Sequence, residues 1–216
     1  MSRPTATNSV PPSSEVASNA APGRIKGASF REFLSFYVVR NGEAALRSAA
    51  DGIDPEWRAL LDPDRPLLGV LASEWYPAVL VHALLDALTG HLSADARAEL
   101  AAASARHIMN RMLRGVYKTL FQLMATPARY QRFGPKLWDA YYDSGTFRIE
   151  MPNDTTAVCM ISDWDAHHPF ICDLNCAAAV PVYEMMGCKA ARVLRTECVS
   201  QGSSRCEFVT NWTGRK

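Results

Sequence analysis

The sequence predicts an α+β domain in which N-terminal helices pack on a four-stranded antiparallel sheet, the sheet being made of two hairpins that flank a late helix. Three observations lead there. Apolar residues recur at helical spacing through most of residues 30–142. Alternation at period two appears only after residue 146, in two pairs of short runs, each pair broken by turn residues. Between the pairs, residues 170–186 read as a helix that ends at Gly187, a residue type that tolerates the left-handed conformation after a last turn.

Taken in order, residues 1–23 are mostly Pro, Ser, Thr, Ala and Asn, too poor in large apolar groups to offset the entropy of ordering, so a disordered tail is expected. The single domain then covers residues 24–216. With Ser29 as N-cap, Phe30, Phe33, Leu34, Tyr37 and Val38 mark a first helix up to Asn41-Gly42. Residues 43–50 and 55–61 read as two shorter helices, the second opened by Asp54-Pro55. Ser73 or Glu74 opens the next, carrying Tyr76, Val79, Leu80, Ala83, Leu84 and Leu88 to Gly90, with His82 beside the stripe. Ser93 caps a long helix over 94–125 whose broad apolar face, including Leu100, Met109 and Leu120, predicts a central position with neighbours on more than one side. A helix over 127–143 ends in the rings of Trp138, Tyr141 and Tyr142, which together with Tyr117 are candidates to line a pocket for an apolar or aromatic ligand.

The first hairpin is expected over 146–151 and 155–161, around Pro152-Asn153-Asp154, with Cys159 pointing into the core. The loop that follows, 161–170, carries acidic and imidazole groups and is the expected polar edge. Pro181 predicts a kink or a late start in the following helix. The second hairpin is expected over 191–199 and 205–212. With residues 201–203 as its loop, Cys198 falls opposite Cys206, at a Cβ separation of roughly 4.5–5.5 Å.

Composition narrows the function. The chain has 216 residues, 48% of them hydrophobic, enough for one core without disulfides. With 23 basic and 22 acidic residues and no basic run, nucleic-acid binding or membrane-surface binding by bulk charge is unsupported. No signal peptide or membrane span is legible, so a cytoplasmic protein with reduced or metal-bound cysteines is expected. Five of the six cysteines fall within residues 167–212. The residues alone leave three states open for them: a bound zinc ion, reduced core thiols, or a Cys198–Cys206 disulfide.

The pattern Cys198-Val-Ser-Gln-Gly-Ser-Ser-Arg-Cys206-Glu-Phe208, following a helix and a glycine, resembles the C-terminal signature of the 4-vinyl reductase domain. That domain is related in fold to haem-nitric-oxide-binding domains and to transport-particle (TRAPP) subunits. Upstream, Lys26-Gly27, Trp75-Tyr76-Pro77, Arg114-Gly-Val-Tyr117 and Leu137-Trp138-Asp-Ala-Tyr-Tyr142-Asp-Ser-Gly145 are similar to a paralogous family of myxobacteria with the same ending. In phenol-sensing transcription activators that carry such a domain, zinc is held by a Cys near the last helix, a Glu and the two hairpin cysteines. The resemblance therefore implies a structural zinc on Cys172, Cys198 and Cys206. Arg195 stands where the pattern has its Glu, which leaves Cys176, Asp173, Glu197 or His168 to supply the fourth ligand.

No Gly-x-Ser-x-Gly, phosphate-cradling glycine loop or His-Glu-x-x-His occurs, so a non-enzymatic domain is expected. It would sense a small apolar or aromatic molecule, or bind protein, and act through a partner, with homodimerisation through the N-terminal helices. The alternatives implied by the resemblance are a reductase or accessory enzyme of tetrapyrrole metabolism, and a haem-based gas sensor with His82 or His107 as axial ligand. The haem reading lacks the Tyr-x-Ser-x-Arg motif that holds the haem propionates in that family.

Overall fold

A computed structural model describes residues 23–112 and 125–215. Strand β1 (Arg24–Lys26) runs straight into α1 (Gly27–Asn41), followed by α2 (Glu43–Asp51), α3 (Pro55–Arg58) and a short 3-10 turn over Pro66–Gly69. Strand β2 (Trp75–Pro77) returns to pair antiparallel with β1, Ile25 facing Tyr76. Helices α4 (Ala78–Thr89), α5 (Ala94–Met112) and α6 (Pro127–Trp138) come next. The second half is β3 (Thr146–Asn153), β4 (Thr156–Ser162), α7 (Pro169–Met185), β5 (Arg192–Glu197) and β6 (Arg205–Asn211). The four strands form one antiparallel sheet in the order β3-β4-β6-β5. This is the expected α+β architecture, two hairpins on either side of a late helix.

Several boundaries moved, each for a local reason. Helix α1 starts at Gly27, and Ser29, expected as its cap, turns its hydroxyl back onto the Lys26 carbonyl at 3.2 Å. Gly27 is required there, because a Cβ would lie 2.0 Å from the Leu71 carbonyl oxygen. Helix α4 begins later than expected: proline disfavours helix in the residue before it, so Trp75 and Tyr76 stay extended and pair with β1. Helix α7 runs through Pro181 from Pro169 to Met185. In the second hairpin the strands stop at Glu197 and resume at Arg205, joined by a 3-10 turn (Val199–Gln201) and Gly202 in the left-handed conformation. Two expected caps are present, Asp54 accepting from the Glu56 amide at 2.8 Å and Ser93 from Ala96 at 3.2 Å, and Thr126 caps the next helix by accepting from Arg129 at 3.1 Å.

Helix α7 lies across the inner face of β5 and β6, and α5 packs on α7 and on α1. The part of the long helix that contains Leu113, Tyr117 and Leu120 is outside the described residues. Inward-facing Phe147, Ile149, Ala157, Cys159, Ile161, Cys206, Phe208 and Thr210 are buried, alternating with more exposed neighbours, as a half-covered sheet requires. The contact of Phe33 with Phe170, ring centres 5.1 Å apart, joins the helical layer to α7 just where that helix begins. Among the described residues no helix is long and apolar enough to cross a membrane.

Candidate metal centre

Three cysteines from three chain positions meet at the N-terminal end of α7. Cys172 is in the first turn of that helix, Cys198 follows β5 directly, and Cys206 is the second residue of β6. Glu197 pairs with Glu207, so one step further along the ladder Cys198 and Cys206 face each other, the register expected from the sequence. The Sγ atom of Cys198 lies 3.6 Å from that of Cys172 and 3.7 Å from that of Cys206. All three side chains are buried, and all are free thiols.

The fourth member is His167, one residue before the N-cap of α7. Its Nε2 lies 3.7 Å from the Cys198 Sγ, and all four donor atoms fall within 4.8 Å of one another. In a tetrahedron with Zn–S about 2.3 Å and Zn–N about 2.0 Å, two sulfurs sit about 3.8 Å apart and sulfur and nitrogen about 3.5 Å apart. The three separations from the Cys198 sulfur lie close to these edges, and the donors are of the soft thiolate and imidazole kind that suits zinc. No second group of three or more such donors converges among the described residues.

The electrostatics fit as well. Cys206 is held well below the ordinary thiol range by its hydrogen bond with Cys172, then by His167 and by the Val199 amide, which reaches its sulfur at 3.5 Å. Cys172, the other side of that pair, is pushed far up by the same bond and by burial. His167 is raised chiefly by Cys206, against the opposing effect of burial. His167 and Cys206 thus each favour the charged form of the other.

Three of the four residues weighed as fourth ligand are engaged elsewhere. Asp173 is ion-paired with Arg195, and Glu197 with Arg205 at 3.1 Å. The His168 ring caps α7 through Nδ1, which accepts from the Phe170 amide at 3.2 Å, and its Nε2 meets Asp86 at 3.1 Å. Cys176, one turn beyond Cys172, does not join the cluster. It lines a cleft of about 200 Å³ with Ala98, Asp173, Ala177, Val193 and Arg195, between α5, α7 and β5, and burial pushes its thiol up to about 11. Arg195 is a wall of that cleft; burial works against its charge, and Asp173 and Cys172 beside it more than restore it.

No protein-family model and no curated protein matches the chain. Solved structures do. The Fe(II) unliganded H-NOX protein from K. algicida superposes with a TM-score of 0.65 at 15% identity, covering 88% of this chain and 98% of that one. An H-NOX protein from S. oneidensis in the Fe(II) state gives 0.62 at 11%, covering 89% and 98%. An oxygen-binding H-NOX domain related to soluble guanylate cyclases gives 0.60 at 8%, covering 88% and 96%. The fold is H-NOX-like.

Within this fold the expected pocket rings pack mostly on one another. Trp138 stacks on Tyr142 with ring centres 4.2 Å apart and on Phe147 at 5.6 Å, while Trp164 meets both Trp138 and Tyr142 edge-on. The Tyr142 hydroxyl accepts from the Asn175 side-chain amide at 3.2 Å, and burial pushes its phenol up to about 12. Tyr141 is half-buried, its carbonyl accepting from the Lys26 amide, and Tyr117 lies outside the described residues. Of the two histidines weighed as haem ligands, His82 is bound through Nε2 to the Ala166 carbonyl at 3.1 Å. Among the described residues the buried Nε2 of His107 has no hydrogen-bond partner, and its ring lies against Phe36.

Proposed function

We propose that this chain is a non-enzymatic sensing or protein-interaction domain of the 4-vinyl reductase type, pinned by a structural zinc ion on His167, Cys172, Cys198 and Cys206. The observation that carries the reading is the convergence of one imidazole and three thiols, from a loop, a helix and both arms of a hairpin, at tetrahedral spacing. Four protein donors leave no open position, and the buried thiols favour a closed structural site over a catalytic one. Zinc there would tie the terminal hairpin to α7 and to the loop after β4. The kinship in fold with TRAPP subunits belongs to the same proposal.

The sensing part rests on the cleft between α5, α7 and β5, whose walls of Ala98, Ala177 and Val193 suit a small apolar body while Arg195 and Asp173 offer polar contacts. A partner protein or a second copy would read the signal, with the N-terminal helices as the docking face, where Val39 is 75% exposed. Atomic emission on protein purified without chelator tests the centre: about one zinc per chain is expected, and none ends the metal reading. A thermal-shift screen of phenols, fatty acids and porphyrins tests the cleft.

A haem-based sensor is the second reading, favoured by the iron-containing H-NOX structures that share the fold. His107 offers a buried ring nitrogen with no partner among the described residues, but the Tyr-x-Ser-x-Arg anchor is absent from the chain, so the residues present do not fit haem as a set. A Soret band on adding haemin would reverse that judgement.

A further inference from the structure

We propose that His82 and Asp86, one turn apart on α4, are positioning residues for the metal ligand His167, so that the centre in the sheet half is linked to the seating of a helix in the other half. The inference rests on the zinc reading above and deepens it. His167 lies in an irregular stretch between β4 and α7, where no ladder or helix bond of its own fixes the ring. Its flanks are nevertheless held, and by the same helix. On one side the Ala166 carbonyl accepts from His82 Nε2 at 3.1 Å. On the other, the His168 ring meets Asp86 Oδ1 at 3.1 Å.

The proton positions follow from the partners. A carbonyl only accepts, so His82 carries its proton on Nε2. The Phe170 amide only donates, so His168 accepts on Nδ1 and keeps its proton on Nε2, aimed at the Asp86 carboxylate. The two rings lie 5.0 Å apart. Residues 166 and 168 are thus tied to positions i and i+4 of α4, which share a face. The edge of Trp164 closes on the His167 ring at 5.4 Å, and the His167 amide donates to the Trp164 carbonyl. The ring between those ties is left pointing at the thiols.

Partners that orient a metal-bound imidazole commonly act through its own second nitrogen. Here they act through the backbone and the neighbouring ring. Linkage makes the effect reciprocal: whatever loosens α4 from residues 166–168 weakens metal binding, and metal binding tightens α4.

The test uses the full chain with Asp86→Leu, Asp86→Asn, His82→Phe, His82→Gln and His167→Ala, reading zinc affinity by chelator competition and the absorption spectrum of the cobalt(II) form. Asp86 is 71% exposed, so its variants fold, and unchanged melting of the metal-free proteins verifies it. Asp86→Leu and His82→Phe are expected to bind roughly 10- to 100-fold more weakly, the loss typical of removed outer-shell partners. Their cobalt spectra should move toward that of His167→Ala. Asp86→Asn keeps an acceptor and His82→Gln a donor, and both should restore most of the affinity. Amide exchange along α4 should slow on zinc loading in the wild type and not in Asp86→Leu. Wild-type affinity and spectrum in both Asp86→Leu and His82→Phe overturn the positioning role while leaving the metal centre standing. A wild type that takes up no metal overturns the centre itself.

Discussion

Removing the metal is the perturbation that bears on most of the structure at once. The hairpin of β5 and β6 meets the rest of the fold through α7 and β4, and the four proposed donors sit where hairpin, helix and loop come together. A ligand that binds only the folded state, at free concentrations about 1,000 times its dissociation constant, stabilises by about 4 kcal/mol. For a domain of this size each kcal/mol moves the melting temperature by about 2–4 °C, so excess chelator should lower it by roughly 8–16 °C. Cys206→Ser should melt where the chelated wild type melts, and chelator should not move it further. The measurement is circular dichroism with temperature, run beside zinc determination on the same samples. A wild type whose melting ignores chelator, or a Cys206→Ser variant that keeps a full zinc complement and an unchanged transition, refutes the assignment.

Three further outcomes follow from the packing. Tyr142 keeps its phenol protonated in the fold, with its pKa pushed from 10 to about 12 chiefly by burial, whereas the unfolded phenol ionises near 10. Its contribution is therefore intact below pH 10 and lost as pH rises through about 12, a total of roughly 2–3 kcal/mol. Urea unfolding across that range should show the decline, and Tyr142→Phe should flatten it. Trp138→Ala opens the four-ring cluster and should cost about 3–5 kcal/mol in urea unfolding; a cost under about 1 kcal/mol would mean the rings are not packed as described. Gly27→Ala drives a methyl against the Leu71 carbonyl, a backbone atom that cannot swing aside, and should destabilise by about 1–3 kcal/mol despite the better helix propensity of alanine. An unchanged melting temperature would contradict that approach.

The elements whose signals are local were legible in the chain. Turn residues at Pro152-Asn153-Asp154 and Gln201-Gly202, and the glycine after α7, placed both hairpins and the late helix, and the opposition of Cys198 to Cys206 came from counting across a loop. The β1–β2 pair was not legible, because its halves are about fifty residues apart and each is only three residues long. Nor does anything in Pro66-Leu-Leu-Gly announce that Leu67 and Leu68 take positive φ; burial of Leu68 in the core selects it against local preference. His167 was missed because its neighbour looked better. His168 stands four residues before Cys172, which on a helix would share its face, but α7 begins at Pro169 and His168 is its cap. A histidine spent on capping has no lone pair left at Nδ1, and the residue before it, outside the helix, is free to turn the other way. The usable signal was Pro169, a strong marker of a helix's first position.

The same logic explains how Arg195 can stand where an acidic ligand was expected. Three thiolates and a neutral imidazole around zinc leave one net negative charge, whereas a carboxylate in place of the imidazole would leave two. A guanidinium beside Cys172 is favourable next to either, yet it can occupy that strand position only if the fourth donor arrives from elsewhere. His167 comes from the loop after β4, and Arg195 turns to Asp173 on α7. Exchanging the two roles moves a ligand from the hairpin to the loop. The proposed ion then joins three parts of the chain that the carboxylate arrangement would leave as two, and the loop in question is the one that α4 holds.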